Sequence, residues 1–432
     1  MESVWSKTES LKEYGELNGN ASCDVLVIGG GIAGIMCAYA LKEAGADCLL
    51  VEAKRLCSGV TKNTTAKLTV QHGLVYDRLI REYGVRRAGL YLDAQLEAFR
   101  KMKKLSESVD CDYRESDAYV YSLRDIKRIE NEAWALNSLG LSCEVCDSTE
   151  LPFKVSGATR VKNQGQFHPL KLLKHLTEGL RIYENTRVLE IRDGYAITDK
   201  GKIKAKKQIV ATHFPFINKH GMYFLKMYQH RSYVIAYKNA EVISGMYVDE
   251  SKQGLSFRSY KGLLLLGGGG HRTGKTGGGW DELAAIKEHY YPEATEVARW
   301  ATQDCMTLDG IPYVGRYSES TPDLFVSTGF NKWGMTSSMV SAMLLTELVQ
   351  GREPEYSSVF SPSRSILHPQ LALNGVEAAM GLLNIFAPRC PHLGCALKYN
   401  KQEHSWDCSC HGSRFTEEGE VIDNPANGDL PR

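Results

Sequence analysis

Cys390-Pro-His392-Leu-Gly-Cys395 and Cys408-Ser-Cys410-His411-Gly-Ser413 set two thiols and two imidazoles in mixed pairs: C-x-H, fifteen residues, then C-x-x-H. Cys390 and Cys408 with His392 and His411 can hold a [2Fe–2S] cluster, both thiolates on one iron and both imidazoles on the other. Neutral imidazoles in place of two thiolates remove negative charge from such a cluster and make its reduced state easier to reach. A zinc site can use the same four residues. Zinc fingers, however, normally pair Cys with Cys first and His with His later, whereas here each box mixes the two.

A second constellation lies near the other end. Cys23-Asp24-Val-Leu-Val-Ile28 is an apolar run of strand length, followed by Gly29-Gly-Gly31-Ile-Ala-Gly34. A helix-like stretch, Ile35 to Ala44, then leads to a second strand, Cys48-Leu-Leu-Val51, ending at Glu52. This is a βαβ unit with G-x-G-x-x-G at its first turn. Gly29 permits the tight turn, Gly31 lets the backbone approach a pyrophosphate, and Gly34 lets helix and strand pack closely. The helix N-terminus favours the phosphate charge, and Glu52 can accept hydrogen bonds from ribose hydroxyls. By itself the fingerprint does not separate FAD from NAD.

Two family resemblances rest on these residues. The C-terminal boxes, with Leu-Gly after His392 and Gly-Ser after His411, look like a Rieske protein. In the high-potential Rieske proteins of cytochrome bc-type complexes, matching cysteines form a disulfide that clamps the cluster loops. The resemblance implies that bond for Cys395 and Cys410. It also implies that Ser413 donates its hydroxyl to a cluster sulfur. Those proteins usually carry a donor Tyr where this chain has Phe415. Donors around a cluster tune its potential, so a value below that of the respiratory proteins is expected.

Residues 22 to 352 resemble the glycine oxidase/D-amino-acid oxidase (DAO) family of FAD-dependent flavoproteins. Arg187-Val-Leu-Glu-Ile191 resembles the strand that carries Val188 to the adenine, and Lys207-Gln-Ile-Val-Ala211-Thr212 the strand ending near the flavin. Leu308-Asp309-Gly310-Ile-Pro312-Tyr-Val-Gly315 is similar to the family's D-G-x-P-x-I-G segment. The stretch from Leu324 through Gly329, Asn331, Gly334, Met335 and Thr336 to Ser338 resembles its C-terminal strand–Gly–helix, whose N-terminus faces the flavin pyrimidine. Partial positive charge there stabilises the negative charge of reduced flavin. The loop from Cys57 to Lys67, with Ser58, Gly59, Thr64 and Thr65, sits where that family wraps the flavin. FAD and a [2Fe–2S] cluster are the cofactors these resemblances imply.

The elements that must position these residues follow. The expected fold is α/β: a Rossmann-like FAD-binding domain (22–105, 160–213, 300–352), an antiparallel-sheet substrate domain (106–159, 214–299) and a small all-β Rieske domain (385–432). Residues 1–21 read as an N-terminal extension and 353–384 as a linker and docking segment. About two dozen residues separate the Pro- and Ser-rich linker from Cys390, so the Rieske domain reads as cut down to its cluster-binding half. A long helix is expected over Gly89 to Val109, and the Lys-rich stretch Lys202 to Lys207 reads as a solvated hairpin. Relatives that oxidise amino acids often hold the substrate carboxylate with a Lys just after the last Gly of the C-terminal motif. Met335 and Thr336 stand there instead, which argues against a simple amino-acid substrate. Arg258, His271 and Trp333 are the candidate pocket residues, and no catalytic residue is assigned.

Three further motifs are read blandly. Gly269 to Thr276 matches G-x-x-x-x-G-K-T, but Gly277-Gly-Gly279 replaces the helix that a phosphate loop must enter. Cys305 reads as a buried thiol rather than a covalent flavin link, and Cys143 and Cys146 form a C-x-x-C without a redox context.

The chain of 432 residues, 43% apolar with a formal net charge of +1, gives no reason to invoke nucleic acid or a membrane surface. Met1 to Cys23 lacks an apolar signal core, and no stretch reads as a membrane span. Of the twelve Cys, eight are scattered without framework spacing, which fits reduced thiols and a cytoplasmic location. The expected activity is an FAD-dependent dehydrogenase that oxidises a small amine or hydroxy compound. It would pass electrons singly through the cluster to an external acceptor, a redox protein or a quinone. The alternatives are an oxygen-using oxidase with the cluster as redox sensor, and a non-catalytic electron carrier.

Overall fold

Strand Ala21–Ile28, helix Ile32–Glu43 and strand Cys48–Val51 form the expected βαβ unit, the strands paired in parallel and the helix starting three residues before Ile35. The structure is a computed structural model that describes residues 1–217, 220–251, 254–383 and 387–431. Around this unit runs a sheet in the order Tyr313–Arg316, Leu324–Thr328, Lys202–Val210, Ala21–Ile28, Cys48–Val51, Arg181–Tyr183. Its central strands are apolar because helices Ile32–Glu43 and Gly334–Val349 and their neighbours bury both faces.

The Lys-rich stretch begins as the expected hairpin, Lys202 to Lys204 pairing antiparallel with the preceding strand Tyr195–Thr198. It then runs on as the first part of the central strand Lys202–Val210. Lys202, Lys204 and Lys206 point to water while Ile203 and Ala205 are buried, the period-2 pattern of a half-buried strand.

The second sheet has nine strands, ordered Thr295–Thr307, Met227–Lys238, Leu263–Arg272, Ser256–Tyr260, Met246–Asp249, Arg114–Ser122, Gly157–Gln166, Lys67–Leu68, with Glu144–Cys146 beside Gly157–Gln166. Pairing is antiparallel except between Met246–Asp249 and Arg114–Ser122. The boundaries expected at 160 and 300 cut through Gly157–Gln166 and Thr295–Thr307, two full members of this sheet. The long helix runs from Tyr76 to Glu107 and bends at Gly84, whose φ of 80° interrupts it.

The N-terminal extension and the linker are both anchored to the flavoprotein. Trp5, in the short helix Val4–Thr8, is fully buried, and its indole donates to the carbonyl of Thr64 (2.7 Å), pinning the wrapping loop. In the linker, the Arg364 guanidinium grips Asp309 with both carboxylate oxygens (2.6 and 2.8 Å) and lies over the Tyr313 ring.

Helix Pro369–Leu383 follows; residues 384–386 lie outside the described residues. It turns Asn374 and Gly381 inward and leaves Leu373, Val376, Met380 and Leu383 exposed. Its inner side meets the last domain as well as the flavoprotein. That domain is a four-stranded antiparallel sheet, Leu397–Asn400, Ser405–Cys408, Arg414–Thr416, Val421–Asp423. Among the described residues, no helix is long and apolar enough to cross a membrane.

Candidate functional site

A cavity of about 810 Å³ runs between the two large sheets. That is near the top of the range for ligand sites, roughly 300–1,000 Å³. One end opens at the glycine turn, where the three glycines have different reasons to lack a side chain. Gly29 has φ of 113°, and a Cβ there would strike the carbonyl of Ala211. A Cβ on Gly34 would strike the carbonyl of Gly29, so Gly34 serves helix–strand contact and does not line the cavity. Gly31 has ordinary extended backbone, φ −80° and ψ −178°, and a Cβ there would meet only Thr61 Oγ1 at 3.3 Å. Its bareness is a space kept on the cavity side.

Glu52 lines the cavity, with its carboxylate accepting from the backbone N–H groups of Gly30 (2.7 Å) and Lys54 (2.9 Å). Burial raises its pKa against those two donors. It therefore shapes the glycine turn as well as facing a ribose position. Val188 and Thr212 also line this end.

Further along, Ser58, Gly59, Thr64 and Thr65 form one wall. Gly310, Gly329, Asn331, Gly334 and Met335 form the other, at the N-terminus of helix Gly334–Val349. Thr336 departs from expectation: its hydroxyl donates to the Thr69 carbonyl (3.0 Å) and contacts His72 (2.9 Å), so it braces a loop and does not line the cavity.

Of the candidate pocket residues, Trp333 lines the cavity, stacked on His72 at 5.0 Å. Arg258 and His271 do not line it. Arg258 is buried under the wrapping loop, donating to the carbonyls of Thr65 and Ala66 and lying over the Trp5 ring. His271 contacts the Tyr233 hydroxyl (3.0 Å) and the Arg272 carbonyl (2.9 Å), one strand position past Gly270, so its side chain leaves the opposite face. The sequence reading missed Lys67, His72 and Asp304, all on the cavity wall. Burial pushes the Asp304 carboxyl up to about 6. It pushes His72 down to about 3, leaving a neutral imidazole held by Tyr91, Thr69 and Thr336.

The phosphate-loop match has no helix directly behind it, and Cys305 lines the cavity as a buried thiol. Gly269 to Arg272 is strand, and the helix after it begins at Gly279. Cys305, Cys143 and Cys146 are outside any disulfide, and burial raises each thiol.

The last domain brings Cys390, His392, Cys408 and His411 to one end of its small sheet. Cys390 and Cys408 face each other closely enough for one thiol to hydrogen-bond the other, which, with the Ser413 hydroxyl, lowers Cys390 to about 7 and raises Cys408. Backbone N–H groups of His392 and Leu393 reach the Cys390 sulfur, and those of Cys410 and His411 the Cys408 sulfur. Donors aimed at paired sulfurs suit thiolate ligands.

The His392 and His411 rings stand 4.9 Å apart. Burial lowers them to about 4 and about 3, so both are the neutral imidazoles that ligation needs. The buried Nδ1 of His411 has no hydrogen-bond partner among the described residues. This donor set fits a [2Fe–2S] cluster. Cys395 and Cys410 form a disulfide across the two loops, and Phe415 is buried without offering a donor. Cys395→Ser removes that cross-link, worth about 3 kcal/mol for a loop this long. Iron release from the variant to a ferrous chelator should be several-fold faster; unchanged release would show the clamp unnecessary.

The two sites share a wall. Phe214 lies 6.4 Å from the His392 ring and 6.5 Å from the His411 ring, and Phe224 lies 6.1 Å from His411. Thr212 and His213, just before Phe214, line the cavity, as do Asp423, Asn424 and Ala426 from the small domain. The Asn424 amide donates to the carbonyls of Thr212 (2.5 Å) and Phe214 (2.6 Å). Gln229 donates to the His411 carbonyl (2.9 Å), and Gln303 to that of Gly412 (2.8 Å). Arg272 donates to the carbonyls of Ser409 (3.0 Å) and Cys410 (3.1 Å). The segment that mimics a phosphate loop is thus part of the clamp on the small domain.

The family model described as "FAD dependent oxidoreductase" (DAO) matches residues 24–348, and the one described as "Rieske [2Fe-2S] domain" matches 363–432. A Rieske 2Fe-2S iron-sulfur protein of Bacillus subtilis (strain 168) is 36% identical over 98% of this chain and 96% of its own. Gamma-glutamylputrescine oxidoreductase of Escherichia coli (strain K12) is 26% identical over 46% of this chain and 50% of its own. The crystal structure of glycine oxidase from Geobacillus kaustophilus superposes with a TM-score of 0.66 at 20% identity, covering 80% of this chain and 99% of that one.

Proposed function

The chain belongs to the DAO family of FAD-dependent oxidoreductases and ends in a Rieske [2Fe–2S] domain, and from that premise we propose that it is a dehydrogenase with a built-in electron exit. It oxidises a small amine or hydroxy compound at the flavin cavity and delivers the electrons singly, through the cluster, to an external acceptor, a redox protein or a quinone. FAD supplies an acceptor for two electrons that can release them one at a time, and the cluster carries one.

The chain's own residues do the rest. The bare Gly31 and the start of helix Ile32–Glu43 receive the pyrophosphate, and the start of helix Gly334–Val349 favours negative charge at the far end of the cavity. Trp333, held flat by His72, walls the substrate end against water. Cys390, Cys408, His392 and His411 hold the cluster.

The observation that carries this reading is the shared wall. The imidazole edge of the cluster site is turned inward, onto Phe214, and the backbone beside Phe214 lines the flavin cavity. A cluster serving only as a sensor, or only as an external carrier, has no need of that orientation.

The test is anaerobic stopped-flow reduction with a panel of primary and secondary amines and 2-hydroxy acids, following flavin and cluster absorbance. Cluster bleaching after flavin bleaching is the expected result. Rapid peroxide formation in air without cluster reduction would favour the oxidase reading, and no reduction by any compound the carrier reading. Phe214→Ala should slow the second phase several-fold and leave the first unchanged. Equal second phases in the two proteins would remove Phe214 from the route.

A further inference from the structure

We propose that Lys67 is the proton acceptor of the substrate cavity: its neutral amine takes a proton from the substrate's ammonium or hydroxyl group before the adjoining C–H bond gives up its hydride. This rests on the dehydrogenase reading and adds to it the group that prepares the substrate.

Lys67 begins the two-residue strand Lys67–Leu68, at the end of the wrapping loop, and lines the cavity. Strand direction explains the placement. Leu68, the next residue, is fully buried in the main core, so Lys67 must leave by the other face. Its Nζ donates to the Ser256 hydroxyl, which lines the cavity from the neighbouring sheet region.

What surrounds Lys67 makes a charged ammonium unfavourable. The charge acting on it is the Arg258 guanidinium, from strand Ser256–Tyr260, and no carboxylate is among the groups acting on it. Its own strand pairs with Gly165 and Gln166, which bring no charge. His72, five residues on, is neutral, Met335 and Met339 on helix Gly334–Val349 are apolar, and the Asp304 carboxyl on the cavity wall is not among the groups acting on Lys67. Burial first, and then Arg258, push the Lys67 ammonium down to about 7. A base with a pKa near the working pH is both available and strong enough to take a proton. Buried lysines of this kind serve as bases because the ammonium is so easily destabilised.

The step balances without a further reagent. The substrate nitrogen or oxygen loses one proton to Lys67 Nζ, which becomes an ammonium hydrogen-bonded to Ser256. The freed lone pair forms the C=N or C=O bond as the hydride leaves carbon for FAD. The proton returns from Lys67 to solvent when product departs. A carboxylate anchor would instead need Lys67 protonated before substrate arrives.

The test uses the intact holoenzyme labelled with 13C-lysine, with the Lys67 Cε signal assigned by its loss in Lys67→Met. That signal should titrate near neutral pH, whereas a Lys67 that stays an ammonium to pH 9 overturns the proposal. In parallel, flavin difference spectra follow binding of two probes, n-butylamine and acetate, from pH 5.5 to 8.5.

Butylammonium should bind roughly tenfold more tightly per pH unit as pH rises toward the Lys67 pKa, because a neutral Lys67 can share its proton. Lys67→Met should lose that slope. The same slope in both proteins, or acetate that still binds tightly at pH 8.5 in the wild type alone, would overturn the proposal, the latter in favour of a carboxylate anchor. Because the lysine titration needs no turnover, it stands or falls separately from the electron route.

Discussion

Gly31→Val is expected to yield a folded protein that has lost its FAD. The backbone at Gly31 is extended, so a β-branched residue adopts it without strain, unlike Gly29 with its φ of 113°. The new Cβ would have only Thr61 Oγ1 near it, at 3.3 Å. The branch methyls would therefore occupy the cavity next to the first turn of helix Ile32–Glu43, where a pyrophosphate must approach the amides. Flavin content of the purified variant should fall by tenfold or more, while its secondary structure stays that of the wild type.

The iron content should hold. The small domain rests on protein contacts such as Gln229 to His411 and Arg272 to Ser409, neither of which needs the nucleotide. The flavin-to-iron ratio of the variant is the deciding measurement. Normal flavin content would remove Gly31 from the site, and joint loss of both cofactors would mean that the small domain depends on a filled cavity.

Glu403→Ala is expected to loosen the Rieske domain from the flavoprotein. Its carboxylate lies between Arg231 Nε (3.0 Å) and Arg414 Nη2 (2.9 Å) and accepts from the Tyr233 hydroxyl (3.0 Å), and all three charged side chains are at most 6% exposed. Arg414 keeps Asp407 and Asp423 when Glu403 is removed, whereas Arg231 has no other ion pair among the described residues and keeps only the longer-range field of Asp304. Breaking a buried pair in this way costs about 3–5 kcal/mol, because one charge stays behind without compensation. Proteolysis in the 353–384 segment should accelerate strongly, and reduction of the cluster should slow while flavin reduction does not. An unaltered digestion pattern would show that the backbone bonds from Gln229, Gln303 and Arg272 suffice.

The same contact carries a pH signature. Burial raises the Glu403 pKa, but the Arg231 and Arg414 charges and the Arg231 and Tyr233 hydrogen bonds outweigh burial and hold it below the usual carboxylate range. A depressed folded pKa means that the stabilisation is fully present above the unfolded value of about 4.3. It is lost as pH falls through the lower folded value. Undocking on acidification should therefore begin only below about pH 4, and in Glu403→Ala this acid-dependent component should be missing.

The cluster boxes were legible because their chemistry is local. A ligand two or three residues from its partner is fixed by the turn between them, and the thiol–imidazole mixture is already specific in the linear chain. The glycine turn was legible for the same reason: the need of Gly29 for positive φ and the contact of Gly34 with Gly29 arise within six residues. The wrapping loop and the C-terminal Gly–helix were legible as segments, although Thr336 within them proved to brace His72.

Pocket membership was not legible. Arg258 and His271 are polar residues on the right strands, yet strand alternation and the cover supplied by Trp5 and the wrapping loop turn both away from the cavity. Lys67 looked like the end of a loop. It faces the cavity because its two-residue strand pairs with Gly165 and Gln166, about a hundred residues on. The docking of the small domain belongs to the same class. Arg231 and Glu403 are 172 positions apart, and neither carries a local signal of the other.

The amino-acid sequence by itself marked the residues of the two candidate cofactor sites, since each rests on short-range steric and ligand rules that neighbouring residues satisfy alone. Only the tertiary structure decided that the imidazole edge of the cluster site meets the flavin cavity across Phe214, and that an amine facing no carboxylate stands inside that cavity. Those arrangements depend on which distant surfaces are buried against each other, and burial is a property of the packed whole.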